Sequence, residues 1–230
     1  MQLKIKDICK SYGEKKVLDN ASYDFEEGRI YSILGRNGAG KTTLFNCISA
    51  DLLFEGGTVL LEEGGNGREL EYKDVGLVSA APVLPEFLTG NEFIYYFTKL
   101  NHIDMGEEAI NEYFDLMRIE LEDRHRLLKN YSFGMKNKIQ LLCCLIRNPK
   151  VILLDEPLSS FDILVSHDIK ETLLRIRSEH IILMATHIMQ LAEDISDEIV
   201  ILKDGKLHKP SQEKDATTDF EDYIIKELQG

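Results

Sequence analysis

Ile30-Tyr31-Ser32-Ile33-Leu34-Gly35-Arg36-Asn37-Gly38-Ala39-Gly40-Lys41-Thr42 is the stretch whose reading decides the fold. Its first residues are an apolar run of strand length, the next are rich in glycine, and Lys41 to Ala50 carries apolar residues at helical spacing. A strand, a glycine turn and a helix give the context in which G-x-x-x-x-G-K-[ST] is a phosphate-binding P-loop. Gly38 and Gly40 let the backbone curl so that successive N–H groups face one point, toward which the helix directs its positive end. Lys41 is then placed for the β- and γ-phosphate oxygens of ATP, and the Thr42 hydroxyl for Mg²⁺. The candidate nucleotide-binding set is Gly35, Arg36, Asn37, Gly38, Ala39, Gly40, Lys41, Thr42 and Thr43. A glycine-rich turn with an incidental lysine is the bland alternative, and its four fixed positions would coincide in about one chain of this size per hundred.

Further along, Val151-Ile152-Leu153-Leu154-Asp155-Glu156-Pro157 is an apolar strand that ends abruptly in two carboxylates. Buried strands do not end this way for packing reasons alone. In a P-loop protein an acid here holds Mg²⁺, which assigns Asp155 as a metal ligand beside Thr42. Glu156 can reach a water lined up with the γ-phosphate and orient or deprotonate it. Taken by itself, the dipeptide also suits a helix N-cap.

Around these motifs the chain reads as α/β. Strands are expected over Leu3 to Cys9, Ala21 to Phe25 and Ile30 to Leu34, with a pair around Thr58 to Leu61 and Val75 to Val78 bracketing a solvated loop, Glu62 to Arg68. From about Leu88 to Leu128 the spacing changes to amphipathic helices, which reads as a helical insertion. Strand and helix then alternate: Val151 to Leu154, Ile163 to Arg177, Ile181 to Ala185, and Ile199 to Leu202. Such alternation implies a mostly parallel sheet covered on its faces. The expected architecture is a P-loop NTPase core with an N-terminal antiparallel β subdomain and a helical insertion subdomain at about 82–148. The nucleotide-binding domain spans 1–208, followed by a polar linker and a C-terminal helix, Phe220 to Leu228, within 209–230.

Composition narrows the function. Forty acidic against 27 basic side chains give a net charge of -13, so a nucleic-acid backbone or anionic surface would be repelled. No nucleic-acid partner is expected. The cysteines Cys9, Cys47, Cys143 and Cys144 lack C-x-x-C spacing and sit in apolar segments, which suits buried thiols in a reducing cytoplasm. Met1 to Lys6 alternates like a strand rather than a signal peptide, and the longest apolar stretches fall short of the roughly 20 residues that cross a bilayer. A membrane role would need another chain to supply the span.

The order of the P-loop, Tyr131-Ser132-Phe133-Gly134-Met135-Lys136, Leu154-Asp155-Glu156-Pro157 and Ala185-Thr186-His187 resembles the ATP-binding subunit of ABC transporters, from about Leu3 to Leu207. The Tyr-Ser-x-Gly-Met signature is similar to that of single-domain exporter-type subunits. The resemblance implies an Mg²⁺-dependent ATPase that powers a separate membrane-spanning subunit, held on the inner face of the cell membrane. It implies a head-to-tail dimer, with a second copy or a homologous ATPase subunit, whose nucleotides lie between the P-loop of one chain and Ser132 and Gly134 of the other. It assigns His187 as a switch histidine whose neutral imidazole bonds the γ-phosphate and the attacking water. Tyr12 would stack on adenine, and Asp162 would lie on a loop crossing the dimer interface. Each also has an ordinary reading: Ser132 and Asp162 as helix caps, Tyr12 as a turn tyrosine, His187 as a satisfied polar residue.

One position departs from the family. Where members carry a glutamine that touches Mg²⁺ and the attacking water, this chain has Ala80, whose methyl can do neither. Ser79 or a water would have to substitute. Ala80 is expected to slow hydrolysis or loosen its coupling to transport. It also keeps open a weakly hydrolysing, nucleotide-dependent regulator, beside the other alternative, a soluble ABC-class ATPase.

Overall fold

The computed structural model describes residues 1–157 and 163–210, together with Ile224 and Glu227. Among the described residues the strands form two sheets. The first is antiparallel, in the order β2-β1-β4-β5, built from β1 (Gln2–Tyr12), β2 (Lys15–Glu26), β4 (Gly56–Glu63) and β5 (Asn66–Glu69). The second runs β10-β9-β3-β8-β7-β6, with β3 (Ile30–Leu34), β6 (Val75–Val78), β7 (Val151–Asp155), β8 (Ile181–Thr186), β9 (Glu198–Lys203) and β10 (Lys206–His208). Only β10 joins that sheet antiparallel; the other pairs are parallel.

The central strands β7 and β8 read as apolar runs up to their last residues because both their faces are covered. Alternate residues belong to different cores. Val151, Leu153, Ile181, Leu183 and Ala185 face α1 (Lys41–Ile48) and the antiparallel sheet. Ile152, Leu154, Ile182 and Met184 face the helical side, made of α2 (Gly90–Leu100), α3 (Glu107–Leu116), α4 (Leu121–Arg124), α5 (Phe133–Ile146) and α6 (Ile163–Ile176). Each such Leu or Ile contributes about 1.5–3 kcal/mol by leaving water. The short α7 (Met189–Ile195) closes β3 and β9 through Ala192, against which Ile224 is buried.

The expected architecture holds, with local corrections. Glu62 to Arg68 is not a free loop: Glu62 and Glu63 end β4, Gly64 and Gly65 turn the chain, and β5 returns along it. The sequence missed the return strand because Asn66-Gly67-Arg68-Glu69 carries no apolar residue. The Thr58 and Val75 segments are not partners but lie in different sheets, tied by Arg68, whose guanidinium donates to both oxygens of buried Asp74 at 2.5 and 2.8 Å. That bond holds the Asp74 carboxyl below the usual carboxylate range. The Phe220 to Leu228 helix lies outside the described residues except for Ile224 and Glu227, which are helical.

Two features fix α5. Gly76 in β6 lets it approach closely, since a Cβ there would fall 2.3 Å from the Cys144 sulfur. On its other flank, buried Lys138 donates to Asp168 of α6 at 2.7 Å, and Arg118 reaches the same carboxylate at 2.5 Å. Burial alone would raise the Asp168 carboxyl, but the two cations outweigh it and hold it low. We expect Asp168→Ala to strand the Lys138 charge and cost about 3–5 kcal/mol, read as a drop in the urea midpoint. Because the folded carboxyl sits low, the parent's advantage over the variant is present at neutral pH and shrinks as pH falls below about 4. An unshifted midpoint at pH 7 would remove this contact from the account.

Candidate functional site

Parallel strands point their carboxyl ends the same way, and a crevice beyond those ends is where such sheets bind ligands. Here β3, β8 and β7 are adjacent, with Leu34 opposite Thr186 and Asp155 opposite Ala185. The loop after β3, the carboxylates ending β7 and the histidine after β8 therefore emerge side by side. Three chemistries far apart in the chain meet at one edge.

The loop itself is built as its sequence requires. Gly38 and Gly40 adopt φ of 79° and 107°, in the left-handed region that disfavours side chains. A Cβ on Gly40 would also lie 2.7 Å from Val17. Gly40 hands directly into α1, where the Leu44 N–H donates to its carbonyl at 2.8 Å. Gly35 and Lys41 are buried, Ala39 and Thr43 partly so, while Arg36, Asn37, Gly38 and Thr42 are exposed. The amino end of α1 carries no acidic residue to compete with an anion.

Across the loop the polar groups converge. The Lys41 ammonium donates to the Gly35 carbonyl at 2.8 Å and lies 3.7 Å from Glu156 Oε1. Thr42 Oγ1 donates to Asp155 Oδ2 at 2.7 Å. Glu156 sits at a φ of 49°, which costs a residue with a side chain about 1–2 kcal/mol. Its N–H is held by the Ala185 carbonyl at 2.8 Å, so the neighbouring strand enforces the turn that aims the carboxylate inward.

His187 Nδ1 meets Glu156 Oε2 at 2.8 Å. A carboxylate only accepts, so Nδ1 carries the proton. A neutral His187 then presents Nε2 as an acceptor, able to receive a hydrogen bond from water. Donating to a phosphate oxygen would need the second proton.

Among the described residues, the buried side-chain polar atom left without a hydrogen-bond partner is Asp155 Oδ1. Burial lifts this carboxyl above the usual range, the Thr42 hydrogen bond pulls it back, and the neighbouring Glu156 charge lifts it again. A buried carboxylate oxygen with nothing to bind, beside a threonine hydroxyl, is a costly arrangement without a cation. Mg²⁺ takes oxygen ligands, commonly one or two from protein and the rest from water and phosphate, and these residues fit it.

Three of the other expected residues have local partners of their own. Ser132 caps α5, its hydroxyl accepting from the Met135 N–H at 3.2 Å, and is exposed. Gly134 is buried, where a Cβ would press Val165 of α6 at 3.1 Å, so it serves close helix packing. Tyr12 is exposed at the end of β1, with the Lys10 ammonium 5.6 Å from its ring centre. Asp162 lies outside the described residues. Ala80 leaves β6 level with the carboxylates, because Val78 pairs with Leu154 in parallel register. Sequence reasoning passed over Gln140, whose amide meets Ser79; its sign was a lone polar residue in the apolar run Ile139 to Leu145.

Comparison with known proteins agrees with this geometry. The sequence pattern of the ABC transporter family matches residues 18–159. The lantibiotic transport ATP-binding protein SrtF of Streptococcus pyogenes is 28% identical over 89% of this chain and 88% of its own. The xylose/arabinose import ATP-binding protein XylG of Sulfolobus acidocaldarius is 28% identical over 92% and 89%. Among solved structures, a dimeric bacterial ABC transporter cassette superposes with a TM-score of 0.75 at 24% identity, covering 90% of this chain and 98% of that one. Family pattern, relatives and fold converge: this chain belongs to the ABC transporter family and carries its ATP-binding cassette.

Proposed function

We propose that the chain is the Mg²⁺-dependent ATPase subunit of a membrane transporter, and that two cassettes arranged head to tail share each ATP. The observation that carries this reading is the convergence of Lys41, Thr42, Asp155, Glu156 and His187 at one strand edge, with Asp155 Oδ1 buried and unpartnered. Lys41, freed from the Gly35 carbonyl, neutralises β- and γ-phosphate oxygens, while the N–H groups of the loop bind the phosphate chain. Thr42 and Asp155 hold the metal, which when bound offsets phosphate charge. Glu156 orients the attacking water and accepts its proton, and His187, tethered at 2.8 Å, steadies the carboxylate. Ser132 and the amino end of α5 complete the site of the opposing chain. Tyr12 stacks on adenine, and Asp162 lines the dimer interface.

No helix among the described residues is long and apolar enough to cross a membrane; by likeness to the family's ATP-binding subunits, a partner would supply the span. A groove of about 200 Å³ lined by Leu77, Val83, Leu84, Phe93 and Phe97 lies on the helical side, and Val83, Phe87 and Leu100 are largely exposed. A surface of that apolarity suits a cytoplasmic helix of the membrane subunit. The chain would then sit on the inner face of the membrane. Export is the preferred direction, supported by the Tyr-Ser-x-Gly-Met signature and by similarity to a lantibiotic transport protein. Ala80 favours one variation, a cassette that binds ATP and hydrolyses it slowly.

Three measurements test the site. Glu156→Gln should bind ATP, turn over very slowly and accumulate as a dimer by light scattering; parent-like turnover would take Glu156 out of the mechanism. Adding Mg²⁺ to the ATP-bound parent should raise its melting temperature, and Asp155→Asn should lose that increment. Retention of it would show that Asp155 is no ligand. Ala80→Gln should speed hydrolysis or tighten its coupling to transport, and no change in either would contradict the role given to Ala80.

A further inference from the structure

Ala80 leaves the wall beside Asp155 and Glu156 without a polar side chain of its own, yet the segment is held from outside. Gln140, in the middle of α5, directs its amide at Ser79. In the orientation that matches donors to acceptors, the Gln140 carbonyl accepts from Ser79 N–H at 3.1 Å and Ser79 Oγ at 2.8 Å. The Gln140 amide nitrogen donates to the Ser79 carbonyl at 3.1 Å. One side chain thus engages every polar group of Ser79, the residue after β6, whose single hydroxyl proton lies between Gln140 and the Ala81 carbonyl at 3.1 Å. The chain would otherwise leave the sheet at that point with its backbone groups unpaired.

The surroundings make this hold rigid. Gly76 admits α5 against β6 with no room for a methyl, and Lys138, two residues before Gln140, is fastened to Asp168 of α6. Gln140 also lines the groove between α2, α5 and the end of β6. It stands between an apolar surface and the site wall.

We propose that Gln140 is a positioning residue for ATP hydrolysis: it fixes residues 79–81 beside Asp155 and Glu156, doing by a tether from α5 part of what Ala80 cannot do by a side chain. Because Ser132 caps α5, the wall of this chain's own site and the residue offered to the opposing site then move as one body. The inference rests on the reading of the site as an ATPase centre. It differs from a plain packing role in what it costs when removed. Loss of the tether should leave ATP binding, which depends on the P-loop, and impair the chemical step, which depends on where the water and Glu156 sit.

Gln140 is partly buried beside an apolar groove, and methionine matches its length and helix propensity, so Gln140→Met keeps the fold while deleting all three hydrogen bonds. The full chain should lose kcat by about ten-fold with KM for MgATP little changed, and its melting temperature should move by only a few degrees. Gln140→Glu, which keeps both acceptor contacts but sets a second carboxylate oxygen against the Ser79 carbonyl, should also lose kcat. A parent-like kcat in Gln140→Met would overturn the proposal. So would a defect confined to KM, or a Glu variant with parent-like kcat. A parent chain that neither binds nor hydrolyses ATP would overturn instead the ATPase reading beneath it, and this failure is told apart because it needs no variant.

Discussion

The parallel pairing of β3, β8 and β7 is the constraint on which everything else rests. A parallel sheet has a direction, and its strand ends expose their last residues on one edge only. Register does the remaining work: with Leu34 beside Thr186 and Asp155 beside Ala185, the P-loop, His187 and Glu156 have nowhere else to go. A slip of one residue in β7 would send Asp155 to the opposite face of the sheet. The alternation of Val151, Leu153 and Ile152, Leu154 between two cores resists that slip, because it would exchange every contact on both faces.

Burial that stabilises the sheet also sets the chemistry at its edge. Asp155 ends a strand whose every residue is buried, and its carboxylate carries a desolvation cost that one hydrogen bond from Thr42 does not offset. The Lys41 charge answers part of that cost. The result is a cluster of opposed charges gathered before any ligand arrives, in which Lys41 and Thr42 need only exchange their present partners. Glu156 adds backbone strain to the same purpose, aimed inward by a left-handed turn that the Ala185 carbonyl secures.

Much of this was legible in the sequence, and the reasons are physical. The P-loop could be read because glycine is strongly favoured at a φ as large as the 107° of Gly40, where Val17 also leaves no room for a Cβ. The β7 carboxylates could be read because charge at the end of an apolar run is expensive. What escaped was carried by weaker signals. The β5 return strand is short, polar and lies at a sheet edge, so nothing in its composition announces pairing. Thr58 to Leu61 and Val75 to Val78 each read as strands, but local pattern does not say which sheet a strand joins. Gln140 looked like an ordinary helix residue, since its meaning comes from a loop sixty-one positions earlier in the chain. The tautomer of His187 likewise depends on a partner that only the fold supplies.

The central claim is that each chain holds half of a catalytic site, with Lys41 on one side and the Ser132 helix end for the other. Mixing two defective chains tests it most directly: one with Lys41→Ala, the other with Ser132→Arg. Each alone should hydrolyse almost no ATP, whereas a mixed dimer contains one site with both residues intact and should recover activity. A mixture as inactive as its components, or a Ser132→Arg chain that works as well as the parent, would contradict the account.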